Sequence, residues 1–193
     1  MESVASVAHE GRFKLEDIIA LFDGVFERTY KTRLIRGDDE PLYRPASDDT
    51  PYHQVIFAHG FYASALHEIS HWCIAGEARR RCEDYGYWYL PDGRNAEQQR
   101  AFEQAEIAPQ ALESLFAAAC EREFRVSVDN LGGDADVDRH AFAETVRTRA
   151  ECYVKDGMPL RAGAFREALY HYYQTPATLE QACIAGRQML SDA

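Results

Sequence analysis

The sequence predicts an α+β protein, mostly helical with a few short strands, forming a single domain over residues 1–193. Three observations carry that expectation. Apolar residues recur at three- and four-residue spacing over several long stretches, which is helical periodicity. Two short segments rich in aromatic and branched residues read as strands instead. The composition is 46 % hydrophobic and 27 % charged, so a chain of this length can bury a real core.

Residues 1–12 are poor in apolar side chains and are expected to be a loose end, as are residues 185–193. From Leu15 onward, apolar residues at 15, 18, 19, 22, 25, 26 and 30 form a helical stripe. Arg36-Gly37-Asp38-Asp39-Glu40-Pro41 reads as a loop, and residues 44–52, with two prolines, as irregular. A strand is predicted for His53 to Ala58, ended by His59-Gly60, followed by a helix from about Tyr62 to Ala75 with Gly76 as its stop. Glu83 to Leu90 alternates as a strand would, and Pro91-Asp92-Gly93 supplies its turn. A long helix is predicted from Ala96 to Ala119, carried by Phe102, Ala105, Pro109, Leu112 and Phe116. Glu123 to Val128 is compatible with one more strand, and two or three helices are expected near 137–155, 160–173 and 177–190. No internal repeat or low-complexity linker divides the chain.

Composition narrows the function classes. The net charge of −11 argues against direct nucleic-acid binding; it suits a cationic substrate or simply solubility. The five cysteines are scattered and form no Cys-x-x-Cys pair, which fits reduced thiols better than a disulfide framework or structural zinc site. Met1 to Lys14 has no apolar core that would make it a signal peptide, and no run approaches the roughly 20 apolar residues that span a bilayer. A cytoplasmic protein without membrane attachment is expected.

The chemistry lies in His67-Glu68-Ile69-Ser70-His71. Positions i and i+4 of a helix lie one above the other, so His67 and His71 can present two imidazoles to one cation. Glu68 can reach the same metal-bound water. This is the His-Glu-x-x-His arrangement of zinc peptidases and related enzymes, and it predicts a zincin-like active-site helix. Leu66, Ile69 and Cys73 form a separate apolar stripe for packing.

Two histidines need a third ligand. Glu77, Asp84, Asp92, Glu103, Glu106 and Glu113 are available downstream. Glu106 lies about 40° from Phe102 on the long helix and borders its apolar face; Pro109 should bend the helix beside it. Glu113 lies similarly, nearly two turns further on. Glutamate metallopeptidases also draw their third ligand from a second helix after the motif, so Glu106 is the choice.

The run from Phe57 to Gly76 closely resembles the bacterial elongation factor P hydroxylase family. So do Gly37-Asp38-Asp39-Glu40-Pro41, Gly86-Tyr87-Trp88-Tyr89 with Pro91-Asp92-Gly93-Arg94, and Pro109-Gln110-Ala111-Leu112, so that the match covers roughly residues 30–176. The resemblance implies hydroxylation of the lysine of elongation factor P that carries an added β-lysyl group. It also implies a two-histidine, one-carboxylate site with Fe(II) expected and dioxygen as co-substrate. The histidines carry over to His67 and His71.

Spacing alone cannot separate iron from zinc, because zinc on the same residues could polarise a carbonyl or activate water in a metallopeptidase. The resemblance favours the hydroxylase, in which Glu68 would orient a histidine or water instead of acting as general base. Tyr87, Trp88 and Tyr89 could wall the lysyl-lysine arm, although an ordinary core strand would look the same. Asp39, with Asp38 and Glu40, could receive the terminal amine, and Arg94 could pair with Asp92 or hold the substrate backbone. A metal-stabilised binding module without turnover is the third reading.

Overall fold

A computed structural model describes residues 12–84, 92–128, 130 and 138–192. The first helix, α1 (Leu15–Tyr30), buries Ile18, Leu21, Phe22, Val25 and Phe26, the face that its periodicity predicts. Lys31 then takes a left-handed conformation and turns the chain into β1 (Thr32–Arg36). β2 (Leu42–Arg44) and β3 (His53–Phe57) complete a three-stranded sheet of order β1-β3-β2. β1 runs parallel to β3, pairing Leu34 with Val55, and β2 runs antiparallel to it, pairing Tyr43 with Val55. Of these strands the sequence pattern predicts only β3; β2 falls between the predicted loop and the stretch that reads as irregular, which it meets only at Arg44.

β3 delivers the chain to α2 (Tyr62–Ile74) through His59 and Gly60, both with positive φ. Gly60 has φ +66°, a left-handed conformation that favours glycine, and its open α-carbon lies against the Arg36 guanidinium. α2 ends at Ile74 with Ala75 as its cap, just before the expected Gly76. Its buried face includes Leu66, Ile69 and Cys73, the stripe opposite the motif histidines.

α3 (Ala96–Ala119) has the predicted bounds. Asn95 accepts from the backbone N–H groups of Glu97 and Gln98, and the Gln98 side chain accepts from the Asn95 N–H, a reciprocal cap that explains the sharp start. Pro109 lies inside this helix. α4 (Arg139–Asp156), α5 (Leu160–Gln174) and α6 (Leu179–Ser191) follow. α6 covers most of the stretch expected to be a loose end, and Gly186 is buried where α6 crosses α1 and α5. Glu123 to Val128 forms no strand. Most of the predicted strand from Glu83 to Leu90 lies outside the described residues; Asp84 makes an isolated bridge to Tyr43.

One hydrophobic cluster joins α1, α2, α3 and α5. Trp72 of α2 meets Phe22 and Phe26 of α1 edge-on at 5.2 and 4.8 Å between ring centroids, and Phe165 of α5 meets Phe116 of α3 at 5.3 Å. Because Trp72 directly follows His71, this packing fixes how α2 is rotated. All five cysteines are free thiols.

Candidate metal centre between α2 and α3

His67 and His71 leave the same face of α2, as their four-residue spacing requires. Their Nε2 atoms lie 3.1 Å apart. Across the gap, α3 supplies Glu106, 1 % exposed, with one carboxylate oxygen 3.3 Å from His71 Nε2 and the other 3.5 Å from His67 Nε2. One donor atom from each residue falls within 4.8 Å of the other two. Facing imidazole nitrogens at this separation need a proton or a metal between them, because two lone pairs would repel. Ligands about 2.1 Å from one ion, in neighbouring positions, stand about 3 Å apart, so the donor set fits a single cation.

Glu106 is held in turn. Gln110, one turn further along α3, directs its Nε2 to Glu106 Oε2 at 3.2 Å and to the Ser127 carbonyl at 2.7 Å. The Gln110 carbonyl oxygen accepts from the Ser127 N–H at 2.9 Å. The backbone of the 123–128 segment is therefore tied to a side chain where the sequence suggested a strand.

Glu113, two turns after Glu106, accepts on the other side of the His67 ring, 2.8 Å from Nδ1. Burial disfavours charge on His67, but the Glu113 hydrogen bond, with the charges of Glu113, Glu106 and Glu68, pushes its pKa up to about 10. Without a metal this imidazole is therefore protonated at neutral pH, and a cation would have to displace the proton. Glu68 makes no hydrogen bond to either histidine among the described residues. Burial raises its pKa, the two histidines lower it, and Glu106 and Glu113 raise it again, for a net upward shift. It lines a small pocket beside His71, together with Leu42, Tyr43, Val55 and Trp72. A wider cavity, about 540 Å³, lies on the Glu113 side between Phe13, Leu66, Arg122 and Phe124.

The C-terminal end of α2 is closed from a distance. Arg161 of α5 donates from Nη2 to the carbonyls of Trp72, Cys73 and Ala75 at 2.9, 3.0 and 2.6 Å, and its guanidinium lies 4.7 Å from the Trp72 ring. Unpaired helix-end carbonyls find a cation there, as the helix dipole favours.

The other sequence candidates stand apart from this cluster. Arg94 is fully buried at the head of α3, 3.8 Å over the Phe102 ring, with Nε donating to Gln99 at 2.8 Å. Its backbone exchanges hydrogen bonds with the Asn130 side chain. Asp39 is exposed on the turn between β1 and β2. Tyr87, Trp88 and Tyr89 lie outside the described residues. The sequence offers Glu113 only as a possible ligand, and it does not single out Gln110 or Arg161. The seven-residue spacing of Glu106 and Glu113 is the available sign, since it puts both on one face of α3.

Two imidazoles and a carboxylate converging between two helices, in a mostly helical α+β frame, define a protein with a candidate mononuclear metal centre. The chain belongs to the elongation factor P hydroxylase family, whose model matches residues 21–183. It is also similar to the elongation factor P lysine hydroxylase of Haemophilus influenzae, 51 % identical over 162 residues that make up 84 % of this chain and 90 % of the relative. His67, His71, Glu106 and Glu113 all fall inside the family match. Among the described residues no helix is long and apolar enough to cross a membrane.

Proposed function

We propose that this protein is a metal-dependent hydroxylase that adds a hydroxyl group to the lysylated lysine of elongation factor P in the cytoplasm. His67, His71 and Glu106 would hold Fe(II). The observation that carries the metal reading is the convergence of two Nε2 atoms and both oxygens of Glu106 on one point. The substrate rests on family membership and on the name of the Haemophilus relative.

When bound, Fe(II) with dioxygen supplies the oxidising chemistry that an unactivated methylene needs and no side chain provides. The chain's own residues do the rest. The two imidazoles and Glu106 form a compact N₂O donor set, and His71 carries it to the wall of the neighbouring pocket. Leu42, Val55 and Trp72 give that pocket apolar walls suited to a methylene chain. Glu68 faces the same pocket and can hold a proton at its carboxylate or orient water there. Tyr87, Trp88 and Tyr89 are assigned to the lysyl-lysine arm on their aromatic chemistry alone. Asp39 is assigned to the cationic end of the arm. Arg94, buried over Phe102, is assigned to fixing the head of α3 and not to gripping substrate backbone.

The deciding experiment is intact-mass analysis of lysylated elongation factor P after incubation with the protein, Fe(II), a reductant and air. A gain of one oxygen is expected. No gain, together with cleavage of a peptide panel by the zinc-loaded protein, would replace this reading with a metallopeptidase. His67→Ala, His71→Ala and Glu106→Ala should each lower bound metal and abolish hydroxylation; full metal occupancy in Glu106→Ala would show that the third ligand lies elsewhere.

A further inference from the structure

We infer that Glu113 is a positioning residue: it holds the His67 ring with Nε2 turned toward Glu106 and His71, and so sets the affinity of the cluster for a divalent cation. The inference rests on the metal-centre reading above.

A carboxylate can only accept, so the 2.8 Å contact to Glu113 Oε2 places a proton on His67 Nδ1. In the cation-bound state the lone pair must then be on Nε2, the nitrogen 3.1 Å from His71 Nε2 and 3.5 Å from Glu106. The two ring nitrogens thus meet two carboxylates from one helix face. Glu106 and Glu113 are seven residues apart on α3, which is about two turns, and they bracket the imidazole between them. Rotating the ring would break both contacts at once.

Glu113 is no ligand in this arrangement, because it approaches the side of the ring that faces away from the donor cluster. Among the described residues the second motif histidine has no such support, since Glu68 bonds neither His67 nor His71 and His71 Nδ1 has no hydrogen-bond partner. The two histidines are therefore unequal. His67 is oriented before a cation arrives, whereas His71 is oriented only by its helix and by the cluster itself. The side chain of Glu113 is 13 % exposed, at the edge of the Phe13, Arg122 and Phe124 cavity, so water competes weakly for its oxygens. Carboxylates bound to a ligating histidine in this way typically account for 10–100-fold in metal affinity.

The test is Co(II) titration of the metal-free full chain, followed by visible absorption, for wild type and the variants Glu113→Ala, Glu113→Gln, Glu106→Gln and His67→Ala. Circular dichroism of each variant checks its fold. Glu113→Ala should bind Co(II) about 10–100-fold more weakly. Glu113→Gln should recover most of that loss, because its amide oxygen accepts from the same Nδ1–H. Glu106→Gln should show no such rescue, because a ligating carboxylate is lost. Wild-type affinity in Glu113→Ala, or a Gln variant as weak as the Ala variant, overturns the role of Glu113. If wild type itself takes up no Co(II), or His67→Ala leaves uptake unchanged, the metal centre falls and this inference with it. Stoichiometric binding lost in His67→Ala but unaltered in Glu113→Ala removes the positioning role alone.

Discussion

Gln110 holds Glu106 with the same amide nitrogen that it gives to the Ser127 carbonyl, at 3.2 and 2.7 Å. One side chain thus joins a candidate metal ligand to the backbone of the 123–128 segment. Gln110→Leu keeps the bulk but removes both functions. It should lower stability by about 1–3 kcal/mol, because the Ser127 N–H and C=O lose their partner, and weaken Co(II) binding as well. Denaturant unfolding and the Co(II) titration measure the two effects; unchanged affinity at reduced stability would confine Gln110 to the segment.

The pH dependence of stability should carry a signature of Asp23. Burial pushes its pKa up to about 6, against the lowering effects of the Leu34 N–H, which donates to Oδ1 at 2.8 Å, and of Arg33. The folded state therefore binds this proton more tightly than the unfolded chain does. Its contribution is fully present below about pH 3.8 and is lost as pH rises through about 6. Asp23→Asn keeps an oxygen acceptor for Leu34 and cannot ionise. Its stability relative to wild type should rise across that window and level off above it. A difference that is constant from pH 4 to pH 8 would exclude the effect.

Arg161 should matter to folding more than its distance from α2 suggests. Arg161→Met preserves much of the stem but strips the Trp72 and Cys73 carbonyls of this donor and leaves the Ala75 carbonyl only its bond from Arg80, which should cost about 2–4 kcal/mol in urea unfolding. Arg161→Lys should restore part of this, since an ammonium can reach fewer of the three at once. Equal stability of the Met variant and wild type would mean that the carbonyls find other partners.

Gly186 tests whether α6 is a packed part of the molecule. A Cβ there would stand 2.8 Å from the Ala164 carbonyl oxygen and 2.9 Å from Val25 Cγ2. Gly186→Ala should therefore destabilise by about 1–3 kcal/mol, although alanine favours helices by about 1 kcal/mol over glycine. A more stable variant would show that α6 can shift outward at no cost.

How much of the molecule is legible in the sequence varies with the range of the interactions. α1 and α3 can be read closely because their periodicity and, for α3, the Asn95 cap lie within the elements themselves. The convergence of His67 and His71 follows from helix geometry, and Glu106 from its place beside the apolar face. β1 escapes such a reading because its parallel partner β3 comes far later in the chain, and three-residue β2 because pairing alone defines so short a strand. Glu123 to Val128 looks like a strand, but the Gln110 side chain takes the backbone groups of Ser127. Arg161 carries no local sign of its role, because its three acceptors lie 86–89 residues earlier.

That last separation has a meaning in time. During synthesis, all three donor residues have been added by position 106, yet at the end of the helix bearing two of them the Trp72 and Cys73 carbonyls wait for an arginine added at position 161. The nascent chain therefore owns its candidate ligands for fifty-odd residues, by simple subtraction, before it can lock the scaffold that aims them. Order of appearance and order of completion are reversed: the residues that would bind the cation come first, and the residue that finishes their support comes late.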